Sequence, residues 1–416
     1  VAVDNHITDG GFKSVYAATH ATLGPVVVSC QGAHTVNQEW IALRRLVSEP
    51  PHPHVISLLE HLIDDDGGTA FAVLPLAGVQ ELFDLLINGA GAMADDQILP
   101  IFAQTLSGVR HLHRLGVAHL DIKLENLMIA ADGTIKIIDF GLSALADLQS
   151  PAQGPALSFH AMHSIRGTQS YVAPEVLAGG PYDPCAADVW SLGCVLFALC
   201  SGFFAFAQAA AQDFRFAVVV AAQAEGHSTV RAIYAIYQRP THHLTPELID
   251  LLDGMLLVNP RARLTLDDIA TSRWLSPMSA VVLTHDRVVP RDPTLWRVRA
   301  RDRWARARRP MRLFGRLGAM LLSMYDEVRY RPGNSGMNDA AASFWAHAAQ
   351  QDEKPSYRSC SADVVDADRG QPSYRSKRKA LTPDLNELVA RVLGDAGVAS
   401  ATPLPVVRQR AMSGKM

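Results

Sequence analysis

Two short stretches carry the residues best suited to chemistry. His119-Leu120-Asp121-Ile122-Lys123-Leu124-Glu125-Asn126 sets a carboxylate, a cation and an amide on one segment, and Asp139-Phe140-Gly141 begins eighteen residues past Asp121. Those residue types suit phosphate chemistry assisted by a hard cation. Asp121 can accept a hydroxyl proton, Asn126 and Asp139 can hold a metal through oxygen, and Lys123 can neutralise a transferring phosphoryl group. Either stretch alone also reads as a polar turn or a capping Asp. Both together, at this spacing, favour the chemistry.

Holding these groups in register requires particular elements. Runs of β type at 12–19 and 26–30 precede a helical pattern around 37–46 and apolar strands near 55–62 and 69–74. Helical periodicity then covers 81–87 and 95–115. Strands at 127–129 and 135–138 are joined by Ala130-Ala131-Asp132-Gly133, a hairpin signal that leaves Asp139 at a strand end. The remainder to about residue 275 is helical with Gly and Pro punctuation. Strands first and helices later predict an α+β protein with a small β-rich lobe at about 1–76 and a larger α-helical lobe at about 77–275.

The composition, 48% apolar and 19% charged, excludes wholesale disorder and a fibrous repeat. The net charge of -3 hides a division: residues 1–275 hold 14 basic and 27 acidic side chains, residues 276–416 hold 24 and 14. The acidic part contains only three lysines, Lys13, Lys123 and Lys136. Five scattered cysteines form no C-x-x-C pair and read as free thiols in a reducing, cytoplasmic setting. No secretory signal is visible, and the start at Val1 leaves an upstream segment open. The apolar stretch at 189–211 approaches a membrane span in length but reads better as a buried core helix, so no transmembrane span is expected. Beyond 275 come nine arginines between Arg297 and Arg316, a repeated Pro-Ser-Tyr-Arg-Ser at 355 and 372, and helical patches at 313–328 and 384–393 in an otherwise disordered-looking tail.

The order and spacing of the motifs resemble the eukaryotic protein kinase family over about residues 7–275. Gly167-Thr168 and Tyr171-Val172-Ala173-Pro174-Glu175 match the end of an activation segment, and Asp188-Val189-Trp190-Ser191-Leu192-Gly193 matches the buried helix of the large lobe. In Asn259-Pro260-Arg261-Ala262-Arg263 the last arginine matches the partner of Glu175. The resemblance implies a bilobal fold, ATP and Mg2+, with Asp121 and Lys123 catalytic and Asn126 and Asp139 holding metal. Lys123 and Gly167-Thr168 imply the serine/threonine type.

The nucleotide side departs from that pattern. Aligned on Val15, the Gly-rich loop reads Thr8-Asp9-Gly10-Gly11-Phe12-Lys13-Ser14-Val15, keeping Gly10 but placing Lys13 at the third glycine. Cys30, with Ser29 as the alternative, stands where the strand lysine is expected. The same exchange, across the same seventeen residues, resembles the with-no-lysine kinases, and implies that Lys13 is the phosphate-binding cation, oriented by Glu39. Phe140 stands where those kinases have leucine at their chloride-sensing site, so convergent relocation stays open. Val28 would roof adenine, Leu74 is the gatekeeper, and Pro75 and Ala77 would present backbone groups to the base. Leu120 replaces the arginine that grips an activation-loop phosphate, which weakens dependence on that modification, although Ser164 still matches the phosphosite.

Glu81 and Glu125 match carboxylates that bind arginine two or three residues before the acceptor in basophilic kinases, so protein substrates with basic residues there are expected. Arg410-Ala411-Met412-Ser413 meets that preference within the chain itself. For the basic tail the expectation is intramolecular docking on the acidic domain, with a solvated tail or a membrane surface as alternatives; no nucleic-acid module is recognisable. The alternative for the whole is a pseudokinase scaffold, which Thr8, Cys30 and Leu120 favour.

Overall fold

The computed structural model describes residues 1–9, 13–32, 38–64, 68–88, 92–148, 157–159, 162, 164, 166–278, 385–398 and 404–405. Strands β1 (Ala2–Asp9), β2 (Ser14–His20), β3 (Gly24–Gly32), β4 (Glu60–Ile63) and β5 (Thr69–Pro75) form one antiparallel sheet in the order β1-β2-β3-β5-β4. Its register sets Ser14 opposite Cys30 and Val28 opposite Val73, and Ala18, Val26, Val28 and Val73 make a small core on one face. Helix α1 (Gln38–Leu46) buries Glu39, Ala42, Leu43 and Leu46. The spacing of three and four between them is that of one helical face.

The strand expected near 55–62 is shorter, limited to β4. Val55 and Ile56 are buried in the core of the helical lobe, where the Ile56 amide donates to the Ile137 carbonyl at 3.0 Å. Their apolar surface is satisfied there and not by extending the sheet.

The second lobe opens with β6 (Gln80–Glu81), α2 (Leu82–Asn88) and α3 (Asp95–Arg114). The strands β7 (Val117–Ala118), β8 (Leu127–Ile129), β9 (Ile135–Ile137) and β10 (Ala144–Leu145) flank the two chemistry-bearing segments, with β8 and β9 paired as the expected hairpin. A short pair, β11 (Asp147–Leu148) and β12 (Leu157–Ser158), precedes α4 (Pro174–Leu177).

Helix α5 (Pro184–Ser201) is buried along nearly its whole length. Asp183 caps it by accepting from the Cys185 amide, Pro184 opens it, and Gly202 ends it at φ +73°. Among the described residues it alone has the length and hydropathy to cross a membrane, and 94% of it is buried inside the protein. The core-helix reading of that apolar stretch is the one its surroundings support. Cys185, Cys194 and Cys200 are buried and Cys30 half-buried, each outside any disulfide.

Around α5 pack β13 (Phe203–Phe204), α6 (Phe214–Ala224), α7 (Thr229–Ile236), α8 (Pro246–Met255) and α9 (Leu266–Ala270). Part of the C-terminal region is folded against this lobe. Helix α10 (Leu385–Asp395), close to the patch expected at 384–393, lies on α6 and α7 with Leu388 and Val389 buried in the main core. Strand β14 (Leu404–Pro405) pairs with β13. The Arg-rich segment, the Pro-Ser-Tyr-Arg-Ser repeat, the patch at 313–328 and Cys360 lie outside the described residues.

Candidate active site

Asp121 follows β7 and precedes a single 3-10 turn, Leu124–Asn126. The backbone before it takes an unusual path: Leu120 has φ +61°, a conformation that side chains other than glycine rarely adopt. Asp188, wholly buried on α5, holds it there. Its Oδ1 accepts from the Leu120 amide at 2.7 Å and its Oδ2 from the His119 amide at 2.8 Å. His113 Nε2 lies 2.7 Å from the same Oδ2.

His119 links this loop to the next. Its Nδ1 accepts from the Asp121 amide at 3.2 Å, which leaves Nε2 to donate to the Ile138 carbonyl at 3.0 Å, next to Asp139.

The Asp121 carboxylate is held on both oxygens. Oδ2 accepts from Lys123 Nζ at 2.7 Å and Asn126 Nδ2 at 3.0 Å, and Oδ1 accepts from the Thr168 hydroxyl at 2.9 Å. Lys123 also donates to Thr168 Oγ1 at 2.9 Å, so one ammonium joins the Asp121 loop to the Gly167-Thr168 segment. Gly167 allows that approach. It has φ +101°, and a Cβ there would lie 2.8 Å from the Leu120 carbonyl oxygen.

A second cluster forms on the sheet side. Lys13, immediately before β2, donates to both Glu39 oxygens at 2.8 Å and to Asp139 Oδ1 at 3.1 Å. Burial works against the Lys13 ammonium, but Glu39 and Asp139 outweigh it and hold its pKa above the ordinary lysine value. Partial burial pulls Asp139 toward its neutral form, yet Lys13 overrides this and keeps the pKa below the usual carboxylate range. Its φ of +64° is a second non-glycine excursion, and its Oδ1 also accepts from the Gly141 amide at 3.2 Å.

Cys30 supplies no charge here. Burial, with Asp64 adding to it, pushes its thiol pKa up. Lys136 is engaged elsewhere, donating to the Pro53 carbonyl at 2.9 Å.

Asn126 Nδ2 is committed to Asp121, which turns its Oδ1 into the acceptor for a cation, and Asp139 offers a partly exposed carboxylate. This oxygen pair fits Mg2+, which is commonly held by one or two side chains together with substrate phosphates and water. Among the described residues no cluster of three or more His, Cys, Asp or Glu is placed to hold a metal ion.

Val28 and Ala77 are buried, while Val15 and Pro75 are half-buried on β2 and at the end of β5. Gly10 lies outside the described residues. Thr168, His119 and Asp188 are absent from the set of candidates read from sequence. Thr168 follows Gly167 in a recognisable motif, but its bond to Asp121 spans 47 residues and has no local signature.

Glu81 and Glu125 face the same region. The Tyr171 hydroxyl donates to Glu125 Oε2 at 3.3 Å, while Glu81 Oε2 is buried with no partner among the described residues. Burial, reinforced by Asp84 and Glu125, pushes the Glu81 carboxyl up to about 7. Further down, Arg263 makes a bidentate pair with Glu175, Nη1 to Oε1 at 2.7 Å and Nη2 to Oε2 at 2.9 Å, both side chains buried.

The model of the protein kinase domain matches residues 2–275. Curated relatives include CBL-interacting protein kinase 29 of Oryza sativa subsp. japonica, 36% identical over 223 residues, or 54% of this chain and 44% of the relative. CBL-interacting protein kinase 19 of the same plant is 32% identical over 278 residues, 64% of this chain and 48% of the relative. CBL-interacting serine/threonine-protein kinase 16 of Arabidopsis thaliana is 30% identical over 300 residues, 68% of this chain and 59% of the relative. The chain spans about half the length of these curated relatives. With its match running through both lobes and both chemistry-bearing loops, the chain belongs to the protein kinase family.

Proposed function

We propose that the chain is a protein serine/threonine kinase that transfers the γ-phosphoryl group of ATP to a protein hydroxyl. The observation that carries this reading is the pair of clusters: Asp121 with Lys123, Asn126 and Thr168, and Lys13 with Glu39 and Asp139. Asp121 receives the proton of the acceptor hydroxyl as its oxygen bonds to the γ-phosphorus and ADP departs. Lys123 stands beside that carboxylate, placed to steady the charge of the transferring group. Asn126 and Asp139 would hold Mg2+, which when bound neutralises phosphate charge.

Lys13 takes the part of the missing strand lysine. The electrostatic requirement is a cation beside the phosphates, not a particular position in the chain, and Lys13 already has the glutamate that orients it. Glu81 and Glu125 add a preference for substrates with arginine before the acceptor. The names of the relatives support the serine/threonine type. A catalytically silent scaffold is the competing reading, on the strength of Cys30 and Leu120.

ATP consumption on a generic arginine-containing peptide separates them. Wild type is expected to turn over. Lys13→Met and Asp121→Asn are each expected to lower kcat/KM by at least about a hundredfold. Activity that survives Lys13→Met sinks the relocated lysine, and an inactive wild type favours the scaffold.

A further inference from the structure

Helix α1 carries Glu39 in its first turn, and its last turn reaches the second lobe through one side chain. Arg45 Nη1 donates to the Ala146 carbonyl at 2.7 Å and to the Gly116 carbonyl at 3.0 Å. Gly116 lies just past α3 at φ +68°, and its carbonyl also accepts from the Ala146 amide at 2.8 Å. Ala146 is buried directly after β10, seven residues past Asp139. Arg45 therefore grips the place where the chain leaving Asp139-Phe140-Gly141 pairs with β7. The stretch between is itself fixed, with Ser143 Oγ donating to the Phe140 carbonyl at 2.9 Å and Arg166 Nη1 to the Ser143 carbonyl at 3.1 Å.

Apolar contacts also hold α1. Ala42, Leu43 and Leu46 pack in the main core, and Trp40 meets His61 of β4 edge-on at 4.3 Å. Contacts of that kind tolerate a small slide or tilt, whereas two directional hydrogen bonds from one nitrogen fix a point. Glu39 stands six residues from Arg45, about 9 Å along the helix axis. A displacement of about 1 Å at Glu39 stretches its 2.8 Å bonds to Lys13 beyond hydrogen-bond range.

We propose that Arg45 is a positioning residue for phosphoryl transfer: by joining the end of α1 to the Gly116 and Ala146 carbonyls it sets Glu39, and through Glu39 it sets Lys13 beside the phosphates. This rests on the reading of Lys13 as the phosphate-binding cation above. The two bonds form only while β10 lies against β7, so the placement of Lys13 follows the arrangement of the chain after Asp139.

The test follows turnover of an arginine-containing peptide by the full chain with Mg-ATP. Arg45→Met keeps an apolar stem and removes the donor. It is expected to lower kcat about tenfold while the peptide KM stays within about twofold, because Glu81 and Glu125 are untouched. Both bonds leave one nitrogen, and an ammonium can also donate to two carbonyls, so Arg45→Lys is expected to restore kcat to within about threefold of wild type. In a Glu39→Gln background, where the group being positioned is already disarmed, Arg45→Met is expected to cost less than about twofold. Arg45→Gln, too short to reach both carbonyls, carries the same comparison if Arg45→Met is recovered unfolded. A loss just as large in the Glu39→Gln background, or one that Arg45→Lys does not relieve, means that Arg45 only stabilises the fold and overturns this inference alone. Wild-type turnover by Arg45→Met does the same. A wild type that turns over no peptide overturns the kinase reading and this inference together.

Discussion

Single residues in this site act through neighbours that are distant in sequence. Lys13 pairs with Glu39 and Asp139, which lie 26 and 126 residues away, and the three charges set one another's ionisation. Glu81 is the case with the sharpest consequence. Its carboxyl, pushed up to about 7, is largely neutral below that pH and anionic above it. The KM for an arginine-containing peptide is therefore expected to fall as pH rises through about 7, and Glu81→Gln should flatten the profile. Stability runs the other way. Relative to an ordinary glutamate at 4.5, the raised pKa favours the fold below that value, and the benefit is lost as pH rises through about 7. Glu81→Gln should thus raise the melting temperature more at pH 8 than at pH 4. A peptide KM profile that is flat in wild type would contradict the role given to this residue.

Elements supply the constraints that the site residues cannot supply themselves. Helix α5 is a rigid post: Asp188 reaches from it to fix the strained backbone at Leu120, and Arg263 reaches in toward its start, donating to the Ala186 carbonyl at 2.6 Å. The Arg263–Glu175 pair ties the end of the activation segment to that post. Removing one partner leaves the other buried and uncompensated, so Arg263→Ala should destabilise the protein by about 3–5 kcal/mol. Denaturant unfolding would check this, and a loss under 1 kcal/mol would mean that water or another group replaces the arginine. Much at this scale was legible beforehand, because α3 and the β8–β9 hairpin carry their own periodicity and turn signals. The short β4 was less so. The apolar run beginning at Val55 looks like a strand locally, and only the presence of the helical-lobe core draws Val55 and Ile56 away from the sheet.

At the scale of the whole molecule, the part of the C-terminal region that is described packs mainly through apolar side chains. Helix α10 covers apolar surface on α6 and α7, and Arg391 meets Glu225 across that contact. Leu388 is buried to 1% exposure, so replacing it with Asp should release the helix. Hydrogen exchange is expected to accelerate in α6 and α7 while α3 and α5 keep their protection. Uniform acceleration would instead mean that α10 is integral to a single cooperative unit.

The sequence by itself determined the family, the two-lobed order of elements and the identity of the groups around Asp121 and Asp139, because these reside in short motifs with local signatures. With three lysines in the first 275 residues, composition also leaves Lys13 as the candidate for a cation beside the phosphates. Only the tertiary structure decided that Lys13 meets Glu39 and Asp139 together, that Thr168 bridges Asp121 and Lys123, and that the chain returns with α10 on α6 and α7 and β14 on β13. Each of these joins residues far apart in the chain, and such contacts are set by how the lobes pack. Composition and periodicity act over a few turns and carry no record of that packing.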